Sequence, residues 1–259
     1  MPTIRANGVE TFYQFDGASR APTLMLSNSL GAHLGMWDAQ VPAFSDRFRV
    51  LRYDSRGHGR SGVPPGPYSI DDFGRDALAL IDGLGLDRVS FCGLSKGGMV
   101  GMWLASNAPG RIESLVLSNT SAQIGAPEIW NRRIETVRTS GMEAIADGVL
   151  ERWFTSDFRA RAPQAVATAR RMLVATPAAG YVASCAALRD MDQRKALASI
   201  RARTLVIVGS LDVATPPSHG QAIAAGIPGA RVVELAAAHL SNIEAPTEFS
   251  AAVLELLAA

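Results

Sequence analysis

Cysteine is nearly missing from this chain: Cys92 and Cys185 are the only two among 259 residues. Two cysteines without ligand spacing build neither a disulfide framework nor a zinc site. Both are expected to stay reduced, as in the cytoplasm, with Cys92 serving as a small hydrophobe in a buried strand. The four histidines, His33, His58, His219 and His239, lack any His-x-x-x-His spacing, so no metal is expected. No glycine-rich loop has dinucleotide or P-loop spacing, and no cofactor is expected. A net charge of +1 with no basic stripe or acidic tail gives no reason to invoke a nucleic-acid partner. No apolar run reaches the length that spans a bilayer, and the first residues lack a signal-peptide core, so neither a membrane partner nor export is expected. No internal repeat is found. Composition leaves open whether the chain is a monomer or a homo-oligomer.

Apolar side chains, in contrast, make up 47% of the residues, enough to bury a substantial core. They are arranged as short continuous runs separated by helical patterns. The turn Asn7-Gly8 joins two short strands over residues 4–15. Runs at 23–26, 49–53, 88–92, 112–117, 204–208 and 231–235 suit strands covered on both faces, as in a parallel sheet. Ser69 caps a helix whose first turn carries Asp71 and Asp72 and whose apolar stripe includes Phe73, Ala77, Leu80 and Ile81. Between 123 and 192 the strand signal stops. Helical patterns at 129–137, 142–153, 164–174 and 181–188 replace it, and nine arginines fall there. The pattern predicts an α/β core, 1–122 and 193–259, with a mostly parallel central sheet flanked by helices, interrupted by a helical cap, 123–192.

One pentapeptide points to chemistry. Gly93-Leu94-Ser95-Lys96-Gly97 follows a strand-like run and precedes a helix-like one. Gly-x-Ser-x-Gly in that setting is a nucleophile elbow, in which a sharp turn exposes one serine hydroxyl. Acyl transfer to that hydroxyl needs a base and a group that orients the base. Asp212 lies just past the 204–208 run and His239 just past the 231–235 run. Ser95, Asp212 and His239 therefore fall at the carboxyl ends of three strands, the edge where open α/β sheets bind ligands. His219 also follows Asp212, but it begins a helix, whereas His239 sits in a loop leaving a strand. His58 is expected to play a structural hydrogen-bonding part, and His33 to line the site at most. The backbone N–H groups of Lys96 and Leu30 are the expected oxyanion donors.

The whole chain resembles the α/β-hydrolase superfamily, and within it the 3-oxoadipate enol-lactonases. The likeness rests on Leu26-Ser27-Asn28-Ser29-Leu30-Gly31, Tyr53-Asp54-Ser55-Arg56-Gly57-His58-Gly59 and the elbow. It extends through Glu151-Arg152-Trp153-Phe154-Thr155, Asp212-Val213-Ala214-Thr215-Pro216-Pro217 and Ala238-His239-Leu240-Ser241-Asn242. The resemblance implies hydrolysis of a small anionic enol-lactone to 3-oxoadipate through an acyl-enzyme, in bacterial aromatic catabolism. A broad carboxylesterase or a cofactor-free perhydrolase shares the same triad, as would a lactone-sensing receptor with little turnover. The substrate's carboxylate calls for a cation: Arg133, Arg138 or the side chain of Lys96, with Trp153 and Met99 as apolar wall. Two departures accompany the likeness. Asn28-Ser29-Leu30 replaces the His-Gly-x that relatives often carry, and Lys96 stands where an apolar side chain is expected.

Overall fold

The computed structural model describes residues 2–258. Its first hairpin pairs β1 (Thr3–Ala6) with β2 (Val9–Asp16) across Asn7 and Gly8, whose φ values of 47° and 80° are those of a turn that follows the twist of a hairpin. β3 (Thr23–Ser27), helix α1 (Val41–Ser45) and β4 (Arg49–Tyr53) follow. Helix α2 (Ile70–Gly83) begins with a reciprocal capping box between Ser69 and Asp72. Then come β5 (Val89–Leu94), α3 (Lys96–Asn107) and β6 (Ile112–Ser118). The eight strands form one sheet in the order β1-β2-β4-β3-β5-β6-β7-β8, antiparallel at β1/β2 and β2/β4 and parallel elsewhere, where β7 is Arg203–Gly209 and β8 is Arg231–Leu235.

Every residue of β5 is buried, as a central strand covered on both faces requires. At the open edge, β8 is mostly exposed, and its Arg231 and Glu234 place charge along the unpaired strand. Helix α11 (Pro246–Ala258) seats Phe249 and Val253 in the core, where Phe249 meets Trp37.

Between β6 and β7 lie five α-helices: α4 (Pro127–Ser140), α5 (Glu143–Trp153), α6 (Ser156–Arg161), α7 (Pro163–Val174) and α8 (Ala178–Asp190). Four sit where apolar spacing predicts them. The fifth, α6, has only six residues, too few to display a period; it starts where the Thr155 hydroxyl accepts from Phe158 N–H. Gly180 of α8 packs against the backbone of Gly57, so closely that a side chain at either position would collide with the other chain segment. Tyr68 N–H donates to Ala183 O at 3.1 Å beside it. Helices α9 (Pro217–Gly226) and α10 (Ser241–Glu244) flank β8 in sequence. Among the described residues no single helix is long and apolar enough to cross a membrane.

Candidate active site

Ser95 sits between β5 and α3 with φ 57° and ψ −116°. A non-glycine residue there costs about 1–3 kcal/mol and persists only where its surroundings fix it. They do: Ser95 N–H donates to Ser118 O (2.9 Å), and the Thr120 hydroxyl donates to Ser95 O (2.7 Å). The flanking glycines are required by close approach. A Cβ on Gly93 would strike the Gly97 carbonyl, and one on Gly97 would strike the carbonyl of Ser27.

Asp212 and His239 reach the same rim from the loops after β7 and β8. His239 Nδ1–H donates to Asp212 Oδ2 at 2.8 Å, and both side chains are buried. That bond fixes the tautomer with Nε2 unprotonated and free to act as a base. Asp212 also accepts from Ala214 N–H (2.8 Å), Thr215 N–H (3.0 Å) and the Thr215 hydroxyl (2.8 Å). Burial pushes its carboxyl up, but the neighbouring His239 and the hydrogen bonds from His239, Asn119 and Thr215 outweigh burial and bring it down to about 2.

Asn119, just past β6, is a residue the sequence patterns missed. Its amide donates to Asp212 Oδ2 (3.0 Å) and to Ala238 O (3.2 Å), tying the acid to the loop that carries His239. Its Oδ1 accepts from Ser118 and Ser241, and its φ of 44° turns the chain back at the strand end. Its position past a strand carboxyl end, like those of the three candidate residues, is the signal that marks it. Glu244 was also missed: it accepts from Ala238 N–H (3.0 Å) and from the Thr155 hydroxyl, joining the His239 loop to the helical segment.

In the loop after β3 three backbone donors are engaged. Ser29 N–H meets Met36 Sδ, Gly31 N–H meets His58 Nε2, and Ala32 N–H meets Ser29 O. Leu30 N–H has no acceptor among the described residues. Lys96 N–H, at the first position of α3, has none within its helix. A developing oxyanion is stabilised by backbone donors of this kind that are not already engaged.

Ser95, His239, Ser29 and Leu30 line one cavity of about 350 Å³. The helical segment contributes Trp130, Arg133, Arg152, Trp153, Tyr181 and Leu188 to the same walls. Arg133 lies 4.9 Å from the Trp130 ring, and no carboxylate lies within 4 Å of either guanidinium among the described residues. Burial, and then the charge of Arg133, holds Arg152 below the usual guanidinium range. His219 lines the cavity too, although only His239 touches Asp212.

Three residues expected at the pocket lie elsewhere. Arg138 lines a separate groove of about 750 Å³ with Glu135 and Arg189, because α4 turns it away from the face that carries Arg133. Met99 is fully buried in the core, where α3 packs on β5 and β6. The Lys96 side chain runs beneath the elbow instead of into the cavity, and its Nζ donates to Ser55 Oγ at 2.9 Å. His33 caps a short 3-10 turn through Nδ1 and stays outside this cavity.

Residues 22–246 match the family model described as alpha/beta hydrolase fold. The chain is 39% identical to 3-oxoadipate enol-lactonase 2 of Acinetobacter baylyi, over 97% of this chain and 94% of that protein. It superimposes on the crystal structure of the enol-lactonase from Burkholderia xenovorans LB400 with a TM-score of 0.98 and 46% identity, covering all of both chains. A Caulobacter segnis protein named provisionally as a carbamate hydrolase is 31% identical over 90% of each chain.

Proposed function

The chain belongs to the alpha/beta hydrolase family, a hydrolase with enol-lactonase relatives, and on that footing we propose that it hydrolyses 3-oxoadipate enol-lactone to 3-oxoadipate through an acyl-enzyme on Ser95. The observation that carries this is the shared cavity: Ser95, His239 and two guanidinium groups without carboxylates line it together, and Asp212 is bonded to His239.

Ser95 Oγ attacks the ring carbonyl while His239 Nε2 takes its proton. Asp212 holds the imidazolium that forms. The oxyanion is met by Leu30 and Lys96 N–H. The ring C–O bond then breaks and expels an enolate, a better leaving group than an alkoxide; His239 returns the proton to that oxygen. The enol relaxes to the ketone and stays tethered through the ester to Ser95. Water activated by His239 cleaves that ester and releases 3-oxoadipate. The substrate carboxylate lies against Arg133 and Arg152, with Trp130 and Trp153 covering the apolar part of the ring. Residues 123–192 act as a cap that carries these groups and limits water.

The test is the loss of enol-lactone absorbance with purified protein and with Ser95→Ala. The wild type is expected to turn over repeatedly, and Ser95→Ala to lose at least about 10⁴-fold in kcat. Preference for neutral aryl esters over the enol-lactone, release of ammonia from a carbamate at a higher kcat/KM, or one equivalent of product per chain would each refute the lactonase assignment.

A further inference from the structure

Lys96 is one of two lysines in the chain, and it is wholly buried beside the nucleophile with no carboxylate within 4 Å. Its ammonium donates to Ser55 Oγ at 2.9 Å and lies over the ring of Phe73, 4.6 Å from the centroid. A buried charge so poorly matched is costly and calls for an explanation.

His58 belongs to the same buried layer: Ser55, which the ammonium meets, is followed directly by Arg56, whose carbonyl faces the His58 ring. Its Nδ1 lies 3.0 Å from Arg56 O, an atom that only accepts, so Nδ1 carries the proton. Its Nε2 lies 3.1 Å from Gly31 N, an atom that only donates, so Nε2 must be bare. Both partners therefore demand the same neutral tautomer. Gly31 follows Leu30 directly, and its φ of 76° sets the turn of that loop. The bond from Gly31 N–H to His58 thus fixes the peptide plane adjoining the unused Leu30 N–H.

We propose that His58 is a positioning residue for the oxyanion loop, and that Lys96 acts through His58 by opposing any second positive charge in this layer. The inference rests on the oxyanion and triad assignment made above, not on the identity of the lactone. The other charged groups facing the layer are accounted for. Asp76 is held bidentately by Arg56 at 2.6 Å and by Asn7. Asp54 accepts from the N–H groups of Leu34 and Arg60. His33 adds a further unfavourable interaction with a charged His58. Burial, with Lys96 next, holds the His58 imidazole well below its ordinary range. Burial in turn lowers Lys96 to about 7, against the pull of Asp54 and Asp76. In acid, therefore, Lys96 carries its charge, and the neutral ring at His58 survives to lower pH than it would beside an apolar residue.

The experiment measures kcat and KM for p-nitrophenyl acetate from pH 5 to 8, with folding of each variant checked by thermal unfolding. His58→Leu is expected to lower kcat about tenfold or more with little change in KM, since the loop serves the transition state. His58→Gln, whose amide can accept from Gly31 and donate to Arg56, is expected to recover most of that loss. The acid limb of Lys96→Met is expected at higher pH than that of the wild type, and no such displacement is expected when His58→Gln is added. If His58→Leu does not fold, the other two variants still decide. Wild-type kcat in His58→Leu, no recovery in His58→Gln, or superimposable acid limbs with and without Lys96 would overturn the proposal. Ester turnover that survives Ser95→Ala would instead overturn the triad on which it stands. Loss of ester turnover in Ser95→Ala, with the enol-lactone untouched by the wild type, would sink only the lactone assignment.

Discussion

Four arginines of this protein divide into two pairs by what they touch. In the core, Arg52 meets Asp16 at 2.8 Å and Asp38 at 2.6 Å, and Arg56 meets Asp76 at 2.6 Å and Asp72 at 3.3 Å. In the helical segment, Arg133 and Arg152 share a cavity and meet no carboxylate. The residue type is the same, and both pairs are at least half-buried or cavity-facing. A guanidinium withdrawn from water needs counter-charge. The core supplies it from its own acids; the helical segment supplies no carboxylate, and in the proposed function the substrate does. The first pair is read as architecture and the second as recognition.

Breaking the first pair should damage the fold. Arg56→Met leaves Asp76, itself almost fully buried, without its bidentate partner, and should lower the unfolding free energy by about 3–5 kcal/mol. Urea unfolding at neutral pH measures this. A loss of under about 1 kcal/mol, the range of surface pairs, would erase the contrast between the two pairs.

Breaking the second pair should damage recognition and spare the fold. Arg133→Met and Arg152→Met should each raise KM for the enol-lactone about 10–100-fold, as expected for losing a charge-assisted contact worth roughly 1.5–3 kcal/mol. Their unfolding midpoints should match or exceed the wild type, because a like-charge neighbour has been removed. Steady-state kinetics and thermal unfolding on the same samples check both halves; unchanged KM together with a lower Tm would move these arginines into the structural class.

Lys96 extends the contrast to a cation that has neither acids nor a cavity. Its folded value of about 7 lies below the ordinary 10.5, so between those limits the unfolded chain holds a proton that the folded chain does not. Stability contributed at this site must then rise with pH through that window, by at most about 1.4 kcal/mol per pH unit. Buried thiols and phenols titrate in part of the same range with the opposite sign, so the observable is the difference between wild type and Lys96→Met. That difference should narrow as pH climbs from 7 to 10. A constant difference would mean that Lys96 keeps its proton throughout.

Much of this was legible in the sequence, for identifiable reasons. The parallel strands are short apolar runs because both faces are covered, and the elbow is written in glycines that the backbone needs at 93 and 97. The carboxyl ends of β5, β7 and β8 therefore point to Ser95, Asp212 and His239 from the sequence alone. Side-chain direction was not legible. Arg133 and Arg138 are five residues apart on one helix, and periodicity alone does not say which face meets the cavity. Its place next to the serine suggests a pocket position for Lys96, yet its buried side chain runs to Ser55 instead. Asn119 and Glu244 escaped because each acts through contacts with loops 93 and 89 residues away, in Asp212 and Thr155 respectively. The short α6 escaped because it is shorter than two turns.

The central claim is that this cavity takes an anionic lactone, held by the two guanidinium groups that line it with Ser95. It is tested most directly by kcat/KM for the enol-lactone acid against that for its methyl ester, in the wild type and in Arg133→Met/Arg152→Met. The account predicts a preference for the acid of about 100-fold in the wild type that collapses in the double variant. Equal turnover of the two forms by the wild type, or a preference that survives both substitutions, would contradict it.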